Sequence, residues 1–143
     1  FLPDVREWRI IRVGNSYFGH EKLSENGLHS GSGKWRYLSP PEQLLDLAKT
    51  ITEKGNFTSM DIDIFVTKDG RILVNELQTF FGTHYKKEMC VIDNRPGRMI
   101  YNEIQKKWNF EPGNFCDHNL CNLRVKTLIE ILDEKHLNQG TIN

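Results

Sequence analysis

Residues 58–78 read TSMDIDIFVTKDGRILVNELQ, and this stretch decides the fold. Both halves are rich in β-branched and apolar residues, and they flank Asp69-Gly70, a pair that is typical of a two-residue hairpin turn. We therefore predict an antiparallel hairpin. Because side chains alternate along a strand, one face of this hairpin is apolar and suits a core against a helix. That face holds Ile62, Ile64, Val66, Leu73 and Leu77.

The other face of the hairpin is polar. With the turn at that pair, Asp63 lies directly opposite Glu76, and Asp61 lies opposite Gln78. Like charges that face each other across two strands destabilise a sheet. Mg²⁺ binds one or two carboxylates and completes its shell with water and phosphate oxygens, so this face suits half of a metal–nucleotide site. The alternative is a solvated polar face, or an Arg or Lys from elsewhere that neutralises the carboxylates.

Residues 5–22 predict a second hairpin, with Gly14-Asn15 as the turn between REWRIIRV and SYFGHEKL. This turn places Arg9 opposite His20 and Glu7 opposite Lys22. Arg9 and Lys22 then stand where they can face a nucleotide or an anionic substrate, and their charge would favour phosphoryl transfer. The alternative for Lys22 is a surface ion pair with Glu7, worth at most about 1 kcal/mol.

Two helices, a loop and a looser hairpin complete the predicted elements. Residues 39–42 (SPPE) have the pattern of a capping box and precede an apolar stripe at helical spacing, which predicts a helix over 40–54. Residues 24–38 predict a loop, 97–111 a looser hairpin, and 120–132 a terminal helix. The expected fold class is α+β, an antiparallel β-sheet of hairpins packed with helices.

Composition narrows the range of partners. The chain has 143 residues, which fits one domain, and its 19 Lys+Arg balance 19 Asp+Glu. A neutral chain lacks the broad positive field of nonspecific nucleic-acid binding, and no apolar run approaches the roughly 20 residues of a membrane span. The three cysteines are an odd count without a secretory signal, which favours free thiols. We expect a cytoplasmic protein that binds neither nucleic acid nor membrane.

The sequence from Asp61 to Gly82, DIDIFVTKDGRILVNELQTFFG, resembles the C-terminal signature of ATP-grasp carboxylate ligases. In that signature a strand Asp is followed by a strand Glu, one residue, an Asn and a nearby Gly. The segment REWRIIRVGNSYFGHEKL is similar to the hairpin that follows the family's adenine-binding hinge, and Glu7 and Arg9 occupy its acidic and Arg positions. The order hairpin, loop, helix, hairpin also matches the family over roughly residues 1–88.

The resemblance implies a set of site residues. Asp63 would hold one magnesium ion, Glu76 would bridge two, and Gln78 would stand at the family's Asn position and keep an amide oxygen. Arg9 would act in catalysis by stabilising charge. Arg9, Asp63 and Glu76 would bind the nucleotide, and Lys22 would join them from its predicted strand position, so that the implied cofactors are ATP and Mg²⁺.

The resemblance also implies the activity. The chain would be part of an ATP-dependent ligase that joins a small-molecule or peptide carboxylate to an amine or thiol through an acylphosphate. Residues 1–95 would form the C-terminal half of the ATP-grasp domain, and residues 96–143 an extension with a hairpin and the terminal helix. The N-terminal half would lie outside this chain, which we expect to be inactive alone. The alternative function is a non-catalytic module that binds a divalent cation or a partner.

Two weaker features complete the candidates. Cys116, His118 and Cys121 lie close in sequence, but they lack the paired spacing of structural zinc sites, so we expect no zinc there. Residues 29–33 (HSGSG) form a loop whose backbone amides could approach a phosphate, although a plain connector explains them equally well.

Overall fold

The computed structural model describes residues 4–24, 34–81, 91–115 and 120–139. Within these ranges the chain forms eight strands and two helices in an α+β fold with a mostly antiparallel open sheet, so the predicted fold class is confirmed. The elements in chain order are β1 (Arg6–Val13), β2 (Ser16–Lys22), β3 (Trp35–Arg36), α1 (Glu42–Lys54), β4 (Ser59–Val66), β5 (Ile72–Gln78), β6 (Val91–Ile92), β7 (Arg95–Asn102), β8 (Lys107–Pro112) and α2 (Cys121–Gln139).

The sheet has the strand order β5-β4-β1-β2-β7-β6, while β3 pairs with β2 and β8 pairs with β7. The register predicted for the first hairpin is confirmed, with Arg9 opposite His20 and Glu7 opposite Lys22. The pairing of β1 with β4 places Arg9 directly opposite Asp63. The two hairpins are therefore neighbours, and β1 brings a cation beside the carboxylates of β4.

The register at the carboxylates of β4 and β5 is also as predicted, but the turn is not. Thr67 donates its amide to the Arg71 carbonyl at 3.0 Å, and Gly70 donates its amide to the Thr67 carbonyl. Residues 68–70 form the loop, and Gly70 has φ +82°, the left-handed conformation of a three-residue hairpin loop. The predicted two-residue turn is therefore wrong by one residue.

A bulge restores the register further along the hairpin. Ile64 pairs with Val74 but Asp63 pairs with Glu76, so Asn75 is the extra residue of a β-bulge. Between turn and bulge the alternation on β5 is the reverse of the predicted one. Leu73, which was expected on the core face, therefore lies on the polar side, and Ile72 packs against the core instead.

The main core lies between α1 and one face of the central strands. The apolar stripe of α1 is buried, as the helical spacing predicted, and this cluster includes Leu44, Leu45, Ala48, Trp8, Ile10, Tyr17, Met60, Ile62 and Ile64. The helix ends at Lys54, as predicted, but the capping box is wrong. Pro41 is the N-cap residue and no side chain caps the helix, because Ser39 lies too far upstream and its amide bonds Asp93.

A second, smaller apolar cluster covers one end of the opposite sheet face. It consists of Ile11, Val13, Phe18, Phe81 and Leu120, with Phe115 and Leu123 packed against it. Through Leu120 and Leu123 the N-terminal end of α2 docks on this cluster. Within the described residues, neither helix is apolar over enough of its length to cross a bilayer.

Other differences from the predicted elements are local. Trp35–Arg36 form a short strand beside β2, inside a segment that was predicted as loop, and α2 continues to Gln139 beyond the predicted end at Leu132. The hairpin predicted over 97–111 is confirmed as β7 and β8. The proposed division of the chain after residue 95 stays a prediction.

Candidate functional site

Opposite α1, the strands β1, β2, β4 and β5 present a second face, which we call the charged face. Alternation along the four paired strands places on it Glu7, Arg9, His20, Lys22, Asp61, Asp63, Glu76 and Gln78. All five residues predicted for the site, Arg9, Lys22, Asp63, Glu76 and Gln78, therefore lie on one surface although they come from four strands.

Asp63 is the centre of an ion-pair network. Arg9 donates from Nε to Oδ1 at 2.9 Å and from Nη2 to Oδ2 at 3.0 Å, and Lys22 Nζ also donates to Oδ2. Lys22 donates to Glu7 as well, at 2.8 Å. Burial alone would raise the pKa of Asp63, but Arg9 and Lys22 outweigh burial and hold that pKa below its usual value. The carboxylate is therefore ionised and already neutralised by two cations of this chain.

Asp61 lies two residues away in a different environment. Its side chain is 1% exposed, and neither carboxylate oxygen has a hydrogen-bond partner. Arg9 Nε lies 2.9 Å from Asp61 Oδ2, but its N–H is directed to Asp63, so this contact is electrostatic only. Burial raises the pKa of Asp61 to about 7, and the neighbouring charge of Asp63 adds to that effect. Asp61 is thus a buried carboxyl group without a donor.

Glu76 and Gln78 lie on β5, which is an edge strand of the sheet. Glu76 is exposed and stands opposite Asp63, and half-buried Gln78 stands opposite Asp61. An exposed carboxylate on an edge strand can turn toward a ligand at little energetic expense. The second carboxylate of the predicted pair is therefore accessible, unlike the first.

His20 adds a polar but uncharged group to this face. It is 6% exposed, and burial together with Arg9 and Lys22 lowers its pKa to about 3. The imidazole is therefore neutral near pH 7, and its Nδ1 has no hydrogen-bond partner. Sequence reasoning placed His20 opposite Arg9 but assigned it no role, and it did not recognise that Asp61 would be buried.

The charged face fits a divalent cation by charge and by ligand type. Its four carboxylates, Glu7, Asp61, Asp63 and Glu76, outnumber the cations Arg9 and Lys22 by two, a formal charge of −2 when all are ionised. Carboxylate and amide oxygens are the ligands that Mg²⁺ prefers, and Asp61 holds buried oxygens without donors. No group of three potential ligands is preassembled among the described residues, so an ion would have to draw a side chain such as Glu76 inward.

Of the remaining candidates, only Cys121 lies among the described residues. Cys121 is a free, exposed thiol at the start of α2. Cys116, His118 and the loop at residues 29–33 lie outside the described residues, so the expectation of no zinc and the phosphate-loop alternative both stay predictions.

No family model, no curated protein and no solved structure matches this chain. The case for a function therefore rests on the charged face and on the resemblance in the sequence.

Proposed function

We propose that this chain supplies the magnesium- and phosphate-binding half of an ATP-grasp-type ligase, which joins a carboxylate to an amine or thiol. The observation that supports this most directly is the assembly of Arg9, Lys22, Asp63 and Glu76 on one sheet face. The resemblance and the predicted hairpins named these residues from sequence positions up to 67 apart, and they lie on neighbouring strands of one sheet.

The residues suit both charged groups of a phosphoryl-transfer site, the negative phosphates and the positive magnesium ion. Arg9 presents a planar guanidinium that can bond two phosphate oxygens, and Lys22 adds a compact point charge. Both now bond Asp63, so a nucleotide phosphate would compete with that carboxylate for them. Asp63, Glu76 and Gln78 would hold Mg²⁺, which when bound neutralises phosphate charge.

The proposed ligation requires little covalent participation by the protein. A carboxylate oxygen of the substrate would attack the γ-phosphorus, the bond to the β-phosphate would break, and ADP would leave. The amine or thiol would then attack the carbonyl carbon of the acylphosphate and release phosphate. Positioning and electrostatic stabilisation, which Arg9 and Lys22 can supply, dominate such transfers.

The proposal assigns further properties to the whole protein. Its partners are ATP, a small-molecule or peptide carboxylate and a nucleophile, and the adenine-binding half lies outside this chain. We place the protein in the cytoplasm, which the free thiol of Cys121 suits because that compartment is reducing. We expect the 143-residue chain alone not to sustain ATP consumption.

The test is a trapping experiment with the complete protein. Hydroxylamine captures acylphosphates as hydroxamates, so the protein is incubated with ATP, Mg²⁺, hydroxylamine and a panel of amino and dicarboxylic acids. We expect one class of carboxylate to give hydroxamate together with an equal amount of ADP. Absence of hydroxamate over the whole panel, with ATP left intact, would contradict the ligase proposal.

A variant ties the activity to the charged face. Glu76→Gln keeps the shape of an exposed side chain and removes its charge, so we expect a normal melting temperature and loss of most turnover at limiting Mg²⁺. Glu134→Gln is the matched control, an exposed glutamate on α2. Near-normal turnover of Glu76→Gln at limiting Mg²⁺ would refute the metal assignment, and its unfolding would make Glu76 a structural residue.

A second candidate function is a non-catalytic module that binds a divalent cation or a partner. The observation that favours it is that Arg9 and Lys22 neutralise Asp63 without any ligand. The two candidates differ in nucleotide binding. Calorimetric titration with Mg²⁺ and a non-hydrolysable ATP analogue should give saturable binding to the complete protein for the ligase, and none for the module.

A further inference from the structure

We propose that Asp61 is a ligand of the divalent cation on the charged face, which binds between Asp61 and Asp63 at the position now filled by Arg9 Nε. This inference rests on the proposed function, because it concerns the same site. It adds a residue that neither the hairpin spacing nor the resemblance assigns to the metal.

The Asp61 carboxylate is buried without a hydrogen-bond donor. It is 1% exposed and both of its oxygens lack a hydrogen-bond donor. A buried carboxylate without donors is expensive to keep in a fold, and such groups are normally hydrogen-bonded, paired or bound to a metal. Arg9 contacts Asp61 as an ion pair but donates no hydrogen bond to it, whereas Asp63 on the same strand has three donated hydrogen bonds.

The side chain of Asp61 is directed toward the same point as that of Asp63. Arg9 Nε lies 2.9 Å from an oxygen of Asp61 and 2.9 Å from an oxygen of Asp63. The two carboxylates thus converge on one point, and a positive group already occupies it. The single N–H at that point can satisfy only one of them, whereas a metal ion accepts oxygens from both.

A metal ion that replaces the Arg9 N–H between the two aspartates would also free Arg9 for another ligand. Asp61 faces Gln78 and Asp63 faces Glu76, so an ion at the point of convergence could draw in two further oxygen ligands from β5. The ion supplies two positive charges, which match the excess of carboxylates on this face. Arg9, released from its contacts with both aspartates, becomes available for an anionic group such as phosphate.

The test measures cation binding by the complete protein, with Mn²⁺ as the probe in place of Mg²⁺. Free Mn²⁺ is followed by its electron paramagnetic resonance signal at constant pH and ionic strength. Asp61→Asn keeps the shape of the side chain and removes its charge, so we expect normal folding and Mn²⁺ affinity weakened about tenfold or more. Asp133→Asn, an exposed aspartate on α2, is the matched control and should bind as the unaltered chain does.

Glu76→Gln, measured in the same way, separates the role of Asp61 from the proposed metal half-site. If Asp61→Asn binds Mn²⁺ normally while Glu76→Gln binds weakly, the role of Asp61 is refuted and the proposed metal half-site stands. If the unaltered chain binds no Mn²⁺, or if no variant changes its affinity, both assignments are refuted. Melting curves with and without Mn²⁺ provide an independent readout, because a bound ion stabilises the folded chain and that gain should be lost only in the variants that lose a ligand.

Discussion

Asp63 shows how a carboxylate can be central to a site and also structural. Three donated hydrogen bonds from Arg9 and Lys22 keep it ionised in a buried position. From the hairpin spacing alone, Asp63 and Glu76 form a pair of like charges that face each other and destabilise the sheet. The structure separates them, because Asp63 is buried in an ion-pair network and Glu76 is exposed.

The two residues should therefore respond differently to the same change. Asp63→Asn leaves Arg9 and Lys22 without their shared acceptor, and breaking a buried ion pair from one side costs about 3 kcal/mol or more. Glu76→Gln should change the free energy of unfolding by less than about 0.5 kcal/mol, as exposed substitutions do. Urea unfolding of both variants measures the difference. Equal stability of the two would mean that the network around Asp63 contributes nothing to the fold.

The pKa of His20 predicts a pH dependence of stability. The folded pKa of about 3 lies below the ordinary 6.5, because of burial first and then the charges of Arg9 and Lys22, against the opposing charge of Asp63. As the pH falls below 6.5 the unfolded chain takes up a proton that folded His20 does not. Because of this residue, the free energy of unfolding falls by about 1.4 kcal/mol for each unit by which the pH is lowered below 6.5.

His20→Gln isolates that contribution. The variant cannot titrate at this position, so its free energy of unfolding relative to the unaltered chain should rise as the pH is lowered from 6.5 to 4.5. Taking the difference between the two proteins removes the effects of all other groups. A difference that stays constant over this range would show that His20 takes up its proton in the folded chain as readily as in the unfolded chain.

At the scale of elements, the hairpin of β4 and β5 has the predicted carboxylate pairing, but its turn and part of its register differ from the prediction. A three-residue loop shifts the register by one residue at the turn, and the bulge at Asn75 shifts it back. The bulge also separates the half of β5 that packs on the core, at Ile72, from the half that holds Glu76. The turn and the bulge thus act together to set the site.

Gly70 is the residue on which this turn depends. Its φ of +82° is a conformation that costs other L-residues about 1–2 kcal/mol, while Asn tolerates it better than Ala. A Cβ there would meet no atom within 4 Å, so the effect is one of backbone strain alone. Urea midpoints should rank Gly70 above Gly70→Asn, and Gly70→Asn above Gly70→Ala. Unchanged stability of Gly70→Ala would mean that the backbone at this position is not held at positive φ in solution.

Sequence reasoning reached most of this fold because local signals agreed. Gly14 and the alternation around it gave the register of the first hairpin, and the apolar stripe of α1 gave the helix and its buried face. It missed the contact of Arg9 with Asp63, because the pairing of β1 with β4 joins strands 54 residues apart and has no local signal. Burial of Asp61 was missed for the same reason, since it depends on long-range packing rather than on strand alternation.

At the scale of the molecule, the two faces of the sheet are stabilised unequally. One face has a continuous core under α1, whereas the other is divided between the second apolar cluster and the charged face. The first part of α2 covers the second apolar cluster. Arg124 donates to the carbonyl of Thr79 at 2.8 Å and stacks on Phe81, so α2 also holds the chain just beyond the end of β5.

Leu120 is the main point at which α2 is docked. It is fully buried in the second apolar cluster and has φ +64°, a backbone strain that burial must outweigh. Further along the same helix, Leu132 is 46% exposed. Leu120→Ala should therefore lower the free energy of unfolding by about 2–4 kcal/mol, as truncation of a buried leucine does.

Leu132→Ala is the matched control, because it removes the same atoms from an exposed position and leaves a good helix former. We expect its free energy of unfolding to change by less than about 0.5 kcal/mol. Urea unfolding curves of the two variants give the comparison directly. If Leu132→Ala proves as destabilising as Leu120→Ala, the outer face of α2 is covered in solution, and α2 is anchored along its length rather than at its first turn.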